Sequence, residues 1–122
     1  MRLRPALRAI ALALLMSQPA LAIDPPYQGE MERLAEILGS LYFLQPLCQP
    51  GPVDWRLEME QLIALDQPDE DRRQRLAGAF NGGYTAYSRT YRVCTTSADE
   101  ALTRLLGEAE RIARDIHSRF AE

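Results

Sequence analysis

The chain has 122 residues, with fourteen basic against seventeen acidic side chains and a formal net charge of −3 at pH 7. A chain of this length holds one domain with a modest hydrophobic core. Its acidic balance provides no electrostatic attraction to nucleic acid or to anionic lipid, so neither is expected as a partner.

Residues 1–22 have the three parts of a cleavable signal peptide: a start with three arginines and no acid, an apolar run at residues 9–16, and small residues before Ala22. The apolar run is far shorter than the roughly 20 residues needed to span a bilayer. We predict cleavage between Ala22 and Ile23. The mature chain, residues 23–122, is then a single helical domain that is periplasmic and not inserted in the membrane.

Cys48 and Cys94 are the only cysteines of the chain. In an exported protein, two cysteines are expected to form a disulfide. A metal site or a redox pair would need a CxxC motif or several histidines, and His117 is the only histidine. The sequence therefore predicts a Cys48–Cys94 disulfide, no bound metal and no cofactor.

The first predicted helix starts near Gln28 and ends near Pro46. Apolar side chains recur there at the i, i+3, i+4, i+7 spacing of one helix face. This predicted buried face consists of Met31, Leu34, Ala35, Leu38, Leu41 and Tyr42. Acidic residues fill the opposite, solvated face.

Two further helices follow after turns that are rich in proline and glycine. Asp54 is a suitable N-cap for a helix that carries Trp55 and the apolar residues up to Leu65. Three acids at residues 69–71 suit the N-terminus of a third helix, since the helix dipole favours negative charge there. This third helix is predicted to extend to Cys94.

A fourth helix is predicted from the capping box formed by Ser97 and Glu100. Apolar residues at helical spacing continue from Ala101 to Phe120. No part of the chain shows the alternation of a strand. The expected fold is an all-α, four-helix, up-down-up-down bundle joined by one disulfide.

Helices one and three run parallel in this arrangement, and the disulfide links their C-terminal ends. Gly39 lies nine residues before Cys48, and Gly83 lies eleven before Cys94. At 1.5 Å per residue the two glycines reach similar heights. Because glycine inside a helix is unfavourable by about 1 kcal/mol relative to alanine, the pair indicates a close helix crossing. The alternative is a local kink at Gly82 and Gly83.

A stripe of aromatic residues on helix three is the candidate binding site. Phe80 and the tyrosines that follow repeat at intervals of four, three and four residues, which places them on one helix face. They form either part of the core or a recognition surface, since a tyrosine has an apolar ring and a polar tip. The proposed binding residues are Asn81, Tyr84, Tyr87, Arg89 and Tyr91.

An enzymatic role has less support in the sequence. Glu32 and Glu36 lie one helical turn apart, and paired carboxylates can perform acid–base chemistry. Nothing in the sequence places them in a cleft that would raise one pKa, so a solvated charged face is the favoured explanation. His117 has no serine, cysteine or acid around it in a known catalytic arrangement, so it is expected at the surface. Glu30 or Glu36 would be the acid if the chain acts on a cell-wall glycan or peptide.

Three runs of residues mark the chain as similar to a known family. They are residues 26–30 (PYQGE), residues 33–39 (RLAEILG) followed by Cys48, and residues 80–84 (FNGGY) followed by Cys94. In these runs the chain resembles a family of small, uncharacterised exported proteins of alphaproteobacteria. The resemblance implies a periplasmic location and assigns no catalytic residue.

The function expected from these observations is that of a non-catalytic periplasmic interaction or regulatory protein in cell-envelope or peptidoglycan maintenance. Its partner would be another periplasmic protein or a component of the envelope. The alternative is the glutamate-dependent enzyme acting on the cell wall.

Overall fold

The computed structural model describes residues 23–120, and within them the secondary structure consists of four α-helices and no strand. The predicted all-α fold class is confirmed. The predicted signal peptide, up to Ala22, lies outside the described residues. The helices are α1 (Gln28–Cys48), α2 (Trp55–Asp66), α3 (Glu70–Thr90) and α4 (Thr96–Phe120).

Side-chain caps fix where the later helices begin. The carboxylate of Asp54 accepts hydrogen bonds from two backbone N–H groups in the first turn of α2. Asp69 accepts one from the backbone N–H of Arg72 at the start of α3. Helix α4 begins at Thr96, earlier than the predicted capping box at Ser97, because the Thr95 hydroxyl accepts from the third backbone N–H beyond it.

Two helix ends differ from the prediction. Helix α1 continues through Pro46 to Cys48. Pro46 lacks a backbone N–H, so one hydrogen bond of the helix is missing there. The helix still continues for two residues, and the backbone N–H of Gln49 donates to the carbonyl of Gln45. Helix α3 ends at Thr90, and Tyr91 has extended backbone angles of −122° and 132°. The last tyrosine of the predicted stripe therefore lies beyond the helix.

Helix α1 is the centre of the bundle and packs against each of the other three helices, most extensively against α3. The buried face of α1 supplies much of the core, and Leu76 of α3 and Leu102 of α4 complete it with fully buried side chains. Within residues 23–120, no helix has a stretch long and apolar enough to cross a membrane.

Contacts at both ends of α1 establish the helix directions. Its first residue, Gln28, contacts Arg72 near the start of α3, so α1 and α3 are parallel. Near its other end, Gln49 contacts Asp99 at the start of α4, so α4 runs antiparallel to α1. Helix α2 is also antiparallel to α1, because the indole N–H of Trp55 donates to Gln45 at 3.1 Å. The up-down-up-down order is the one predicted.

The close crossing of α1 and α3 at Gly39 and Gly83 is confirmed. A Cβ atom built on Gly39 would lie 1.8 Å from the backbone carbonyl oxygen of Phe80. One built on Gly83 would lie 2.0 Å from the carbonyl oxygen of Glu36. The two backbones are thus in direct contact, and α3 is helical without interruption through Gly82 and Gly83.

The predicted disulfide is present. Cys48, the last residue of α1, is bonded to Cys94 with an S–S distance of 2.06 Å and a Cα–Cα distance of 5.1 Å. Cys94 lies in the segment between α3 and α4, four residues beyond Thr90. The bond therefore holds the C-terminal end of α1 to the α3–α4 connection.

Candidate functional site

The most exposed tyrosine of the predicted stripe, Tyr84, lies in a cluster of aromatic rings built from both parallel helices. Its ring centroid is 5.6 Å from that of Tyr42 and 5.8 Å from that of Phe43, which meets it edge-on. With Pro46 and Leu47 these rings line a hollow of about 450 Å³. Tyr84 is 39% exposed. We call these five residues the aromatic patch.

The other two tyrosines of the stripe form a separate pair. The rings of Tyr87 and Tyr91 are stacked, with centroids 6.3 Å apart and planes 16° apart. Both are half-buried, and the Arg104 guanidinium of α4 donates to the Tyr87 hydroxyl over a long 3.5 Å. The stripe is therefore divided: Phe80 is buried, Tyr84 is partly exposed in the aromatic cluster, and the Tyr87–Tyr91 pair lies near Arg104 of α4.

The two polar residues of the predicted site lie apart from the aromatic patch. Asn81 is exposed and lines a different hollow, of about 190 Å³, between α2 and α3. Arg89 is exposed on α3, five residues beyond Tyr84, which corresponds to about 140° around the helix. The structure thus brings only Tyr84, of the five proposed residues, into the aromatic patch.

Sequence reasoning missed the two aromatic residues that α1 contributes. Tyr42 was assigned to the buried face of helix one, and Phe43 to no feature. The positions of Gly39 and Gly83 could have indicated this aromatic cluster. Because the two glycines meet and the two helices are parallel, the residues that follow them on α1 and α3 also lie close together. Tyr42 and Tyr84 lie three and one residues beyond the crossing.

A buried polar cluster joins the start of α1 to the α2–α3 connection. Arg72, 7% exposed, donates from Nε to the Gln28 side-chain oxygen at 2.7 Å and forms an ion pair with Asp66. The Tyr27 hydroxyl donates to the same Asp66 carboxylate, and this hydrogen bond, with burial, raises the pKa of Tyr27. Arg72 also lies over the Tyr27 ring, 5.8 Å from its centroid. Among the described residues, no buried side-chain nitrogen or oxygen lacks a hydrogen-bond partner. The buried polar atoms of the cluster are therefore all paired, and the cluster links the start of α1 to the α2–α3 connection.

Three carboxylates form a partly exposed ion-pair network around Arg75. This guanidinium contacts Asp24, Glu32 and Asp71 at 2.6, 3.4 and 2.9 Å. Hydrogen bonding from Arg75 lowers the pKa of Asp24. Glu32 thus forms an ion pair with an arginine, and it does not form a carboxylate pair with Glu36.

The two glutamates of the enzymatic alternative lie in different surroundings. Glu30 lies near Asp115 and Arg119 of α4, with 3.6 Å to the Arg119 guanidinium. Hydrogen bonding with Asp115 raises the pKa of Glu30. Glu36 forms an ion pair with Arg33 at 3.2 Å and its side chain is half-exposed. Neither glutamate lines the aromatic patch.

One group of three potential metal ligands occurs in the described residues: Cys48, Cys94 and Asp99. The two sulfur atoms are bonded to each other, so neither is a thiolate that could coordinate a metal. Asp99 instead accepts a hydrogen bond from the side chain of Gln49 at 2.9 Å. At this end of the bundle, the disulfide and the Gln49–Asp99 hydrogen bond join the end of α1 to the start of α4.

Fold and site together define a small helical protein with a disulfide and a surface patch of aromatic residues. The model of the family "Protein of unknown function (DUF2385)" matches residues 26–120, and the chain belongs to this family. Comparison with curated proteins and with solved structures found no match. The family match thus covers α1 to α4, with both cysteines, and carries no assigned activity.

Proposed function

We propose that the chain is a non-catalytic interaction protein of the periplasm, which binds a protein or another component of the cell envelope through the aromatic patch. The observation that carries the proposal is the exposure of Tyr84 between two further aromatic rings. Tyrosine supplies a large, rigid contact area and a polar tip, and it is enriched at the energetically dominant positions of protein interfaces.

The periplasmic location is supported by two features of the chain. Residues 1–22 have the composition of a signal peptide. The Cys48–Cys94 bond fits an oxidising compartment, since disulfides are rare in the reducing cytosol. The resemblance to exported alphaproteobacterial proteins points the same way. The proposed role in envelope or peptidoglycan maintenance is based on this location.

The proposal is tested by quantitative affinity capture from a periplasmic extract with the mature chain as bait. Tyr84→Ser should leave the chain folded, with an unfolding midpoint lowered only by the lost ring contacts with Tyr42 and Phe43. It should reduce the recovery of a specific partner at least tenfold, since aromatic hot spots contribute about 2 kcal/mol or more. Tyr27→Phe is the matched control: it removes a hydroxyl that donates to Asp66, so it should lower stability and leave capture intact. Equal recovery with wild type and Tyr84→Ser would contradict the proposal.

The enzymatic alternative would use Glu30 as a general acid, since its position beside Asp115 raises its pKa. The mature protein is incubated with purified peptidoglycan, and soluble products are identified by mass spectrometry. Product release that disappears in Glu30→Gln, and persists in Glu36→Gln, would establish the enzyme and refute the non-catalytic proposal. If no products are released under conditions where a known hydrolase is active, the result supports the non-catalytic proposal.

A further inference from the structure

A second apolar surface lies in the groove between α2 and α4. Both helices pack on α1 without packing extensively on each other, so α1 forms the floor of the groove. Two adjoining hollows, of about 450 and 290 Å³, follow one another along it and share Leu34, Leu62 and Ala113. We call this surface the α2–α4 groove.

The walls of the α2–α4 groove expose apolar side chains to solvent. Leu65, on the α2 wall, is 84% exposed, and Ala113 on the α4 wall is exposed as well. Ile116 and Phe120, in the last turns of α4, are only half-buried. The apolar face of α4 is therefore covered by α1 in its first half and remains partly uncovered in its second half.

The charges along the α2–α4 groove are mainly negative. Glu58 and Glu110 line it from opposite walls, and Asp66 lies at its end beside the exposed His117. Arg114 pairs with Glu110 at 3.1 Å. Asp66 is held by Arg72 within the buried polar cluster, whereas Glu58 and Glu110 are exposed, and the Glu110–Arg114 pair is a surface ion pair of small energy. Glu58 and Glu110 are therefore the acids that a ligand lying in the groove would approach.

We propose that the α2–α4 groove binds an amphipathic helix of a partner, one with basic residues beside its apolar face. The twelve residues of α2 give a wall of about 18 Å, which matches roughly three turns of a docked helix. Such a helix presents apolar anchors at i, i+3, i+4 and i+7 to a groove of this kind. Its basic residues would reach Glu58 and Glu110, and charge complementarity of this type sets specificity and the rate of association.

The groove contains its own reporter, because Trp55 is the only tryptophan of the chain and lines it. The probe is a tryptophan-free, fourteen-residue peptide of leucine and lysine with leucine at helical spacing. Titration into the mature, disulfide-bonded protein should shift the Trp55 emission to shorter wavelength in a saturable manner. A peptide of the same composition with leucine at alternate positions should bind at least tenfold more weakly.

Matched variants locate the binding. Leu65→Gln adds no charge and removes an exposed apolar side chain, so it should raise the Kd about tenfold. Leu57→Gln is the control, since Leu57 is 47% exposed on the same helix and does not line the groove. The double variant Glu58→Gln/Glu110→Gln should weaken binding and reduce its dependence on salt. Tyr84→Ser should leave the peptide affinity unchanged, which separates this proposal from the aromatic patch.

Three results would overturn the inference. The first is that Leu65→Gln and Leu57→Gln weaken binding equally, which would indicate non-specific adsorption. The second is that a glutamate-containing version of the peptide binds as tightly as the lysine version. The third is that sedimentation shows a dimer that Leu65→Gln dissociates, since the groove would then be occupied by a second copy of the chain.

Discussion

The close crossing of α1 and α3 predicts opposite effects of alanine at two adjacent glycines, Gly82 and Gly83. Alanine at position 83 would place its Cβ 2.0 Å from the Glu36 carbonyl oxygen and 2.8 Å from the Ser40 hydroxyl oxygen. Real Cβ atoms do not come within 3.0 Å of such neighbours, so α1 and α3 must separate by about 1 Å. The obstacle is backbone, which cannot rotate away as a side chain can. Gly82 faces open space, with nothing within 4 Å of an added Cβ.

The magnitudes follow from two opposing effects. Alanine in place of a helical glycine stabilises by up to about 1 kcal/mol when no contact intervenes, so Gly82→Ala should be more stable than wild type. Overpacking usually destabilises by about 1–3 kcal/mol and sometimes by more. Because the clash at Gly83 is with the backbone, Gly83→Ala should lose about 2 kcal/mol or more despite the gain in helix propensity. The two variants should therefore differ by about 3 kcal/mol.

The assay is urea unfolding followed by circular dichroism, with the disulfide intact in all variants. For a domain of this size the difference corresponds to a midpoint shift of 1 M urea or more, with Gly83→Ala below wild type and Gly82→Ala above it. Gly78→Ala, also in open space on α3, should behave as Gly82→Ala does. A Gly83→Ala variant as stable as wild type would refute the close crossing.

Three further predictions concern stability. Gln67 has a left-handed backbone, with φ of 51°, at the end of α2, so Gln67→Gly should stabilise by up to about 1 kcal/mol and raise the unfolding temperature by a few degrees. Hydrogen bonds from Arg33 lower the pKa of Glu108, so this pair should stabilise the fold above about pH 4.3, the unfolded value, and lose its effect as pH falls through the lowered pKa. Glu108→Gln should therefore show a flatter decline of the urea midpoint in acid than wild type, and parallel declines would contradict the assignment. Joint replacement of Cys48 and Cys94 by alanine should lower the unfolding free energy by up to about 4 kcal/mol, since they are 46 residues apart; an unchanged midpoint would show that the bond contributes nothing.

The parts of the fold that could be predicted from the sequence are those that depend on periodicity and on special residues. Apolar spacing of 3.6 residues identified four helices, and compartment chemistry predicted the Cys48–Cys94 bond. Glycine has no side-chain role inside a helix, so Gly39 and Gly83 could be interpreted as a crossing point. These inferences use local rules and one topological assumption, that short connections make neighbouring helices antiparallel.

Other features depend on contacts that no local rule contains. The burial of Arg72 could not be predicted, because charged residues are assigned to the surface unless a partner is known, and its partner Asp66 is in another element. Tyr91 lies beyond the end of α3, although its spacing from Tyr84 and Tyr87 in the sequence is that of one helix face. The aromatic patch needs both the direction of α3 and its register against α1.

The α2–α4 groove could not be predicted from the sequence either. The periodicity of α4 shows which face is apolar but not how much of it α1 covers. An apolar stripe is therefore assigned to the core over its full length. Only the placement of α2, which leaves Leu65 and Ala113 in solvent, reveals that part of this stripe remains uncovered.

The central claim, that the aromatic patch binds a partner, is tested most directly by site-specific photo-crosslinking in living cells that produce the protein. A photoreactive phenylalanine analogue is introduced at position 84 in the patch, and, as the control, at position 89 on the same helix about 140° away. We expect one discrete cross-linked species from position 84 and none from position 89. Identical cross-linking patterns from the two positions, or none from position 84, would contradict this claim.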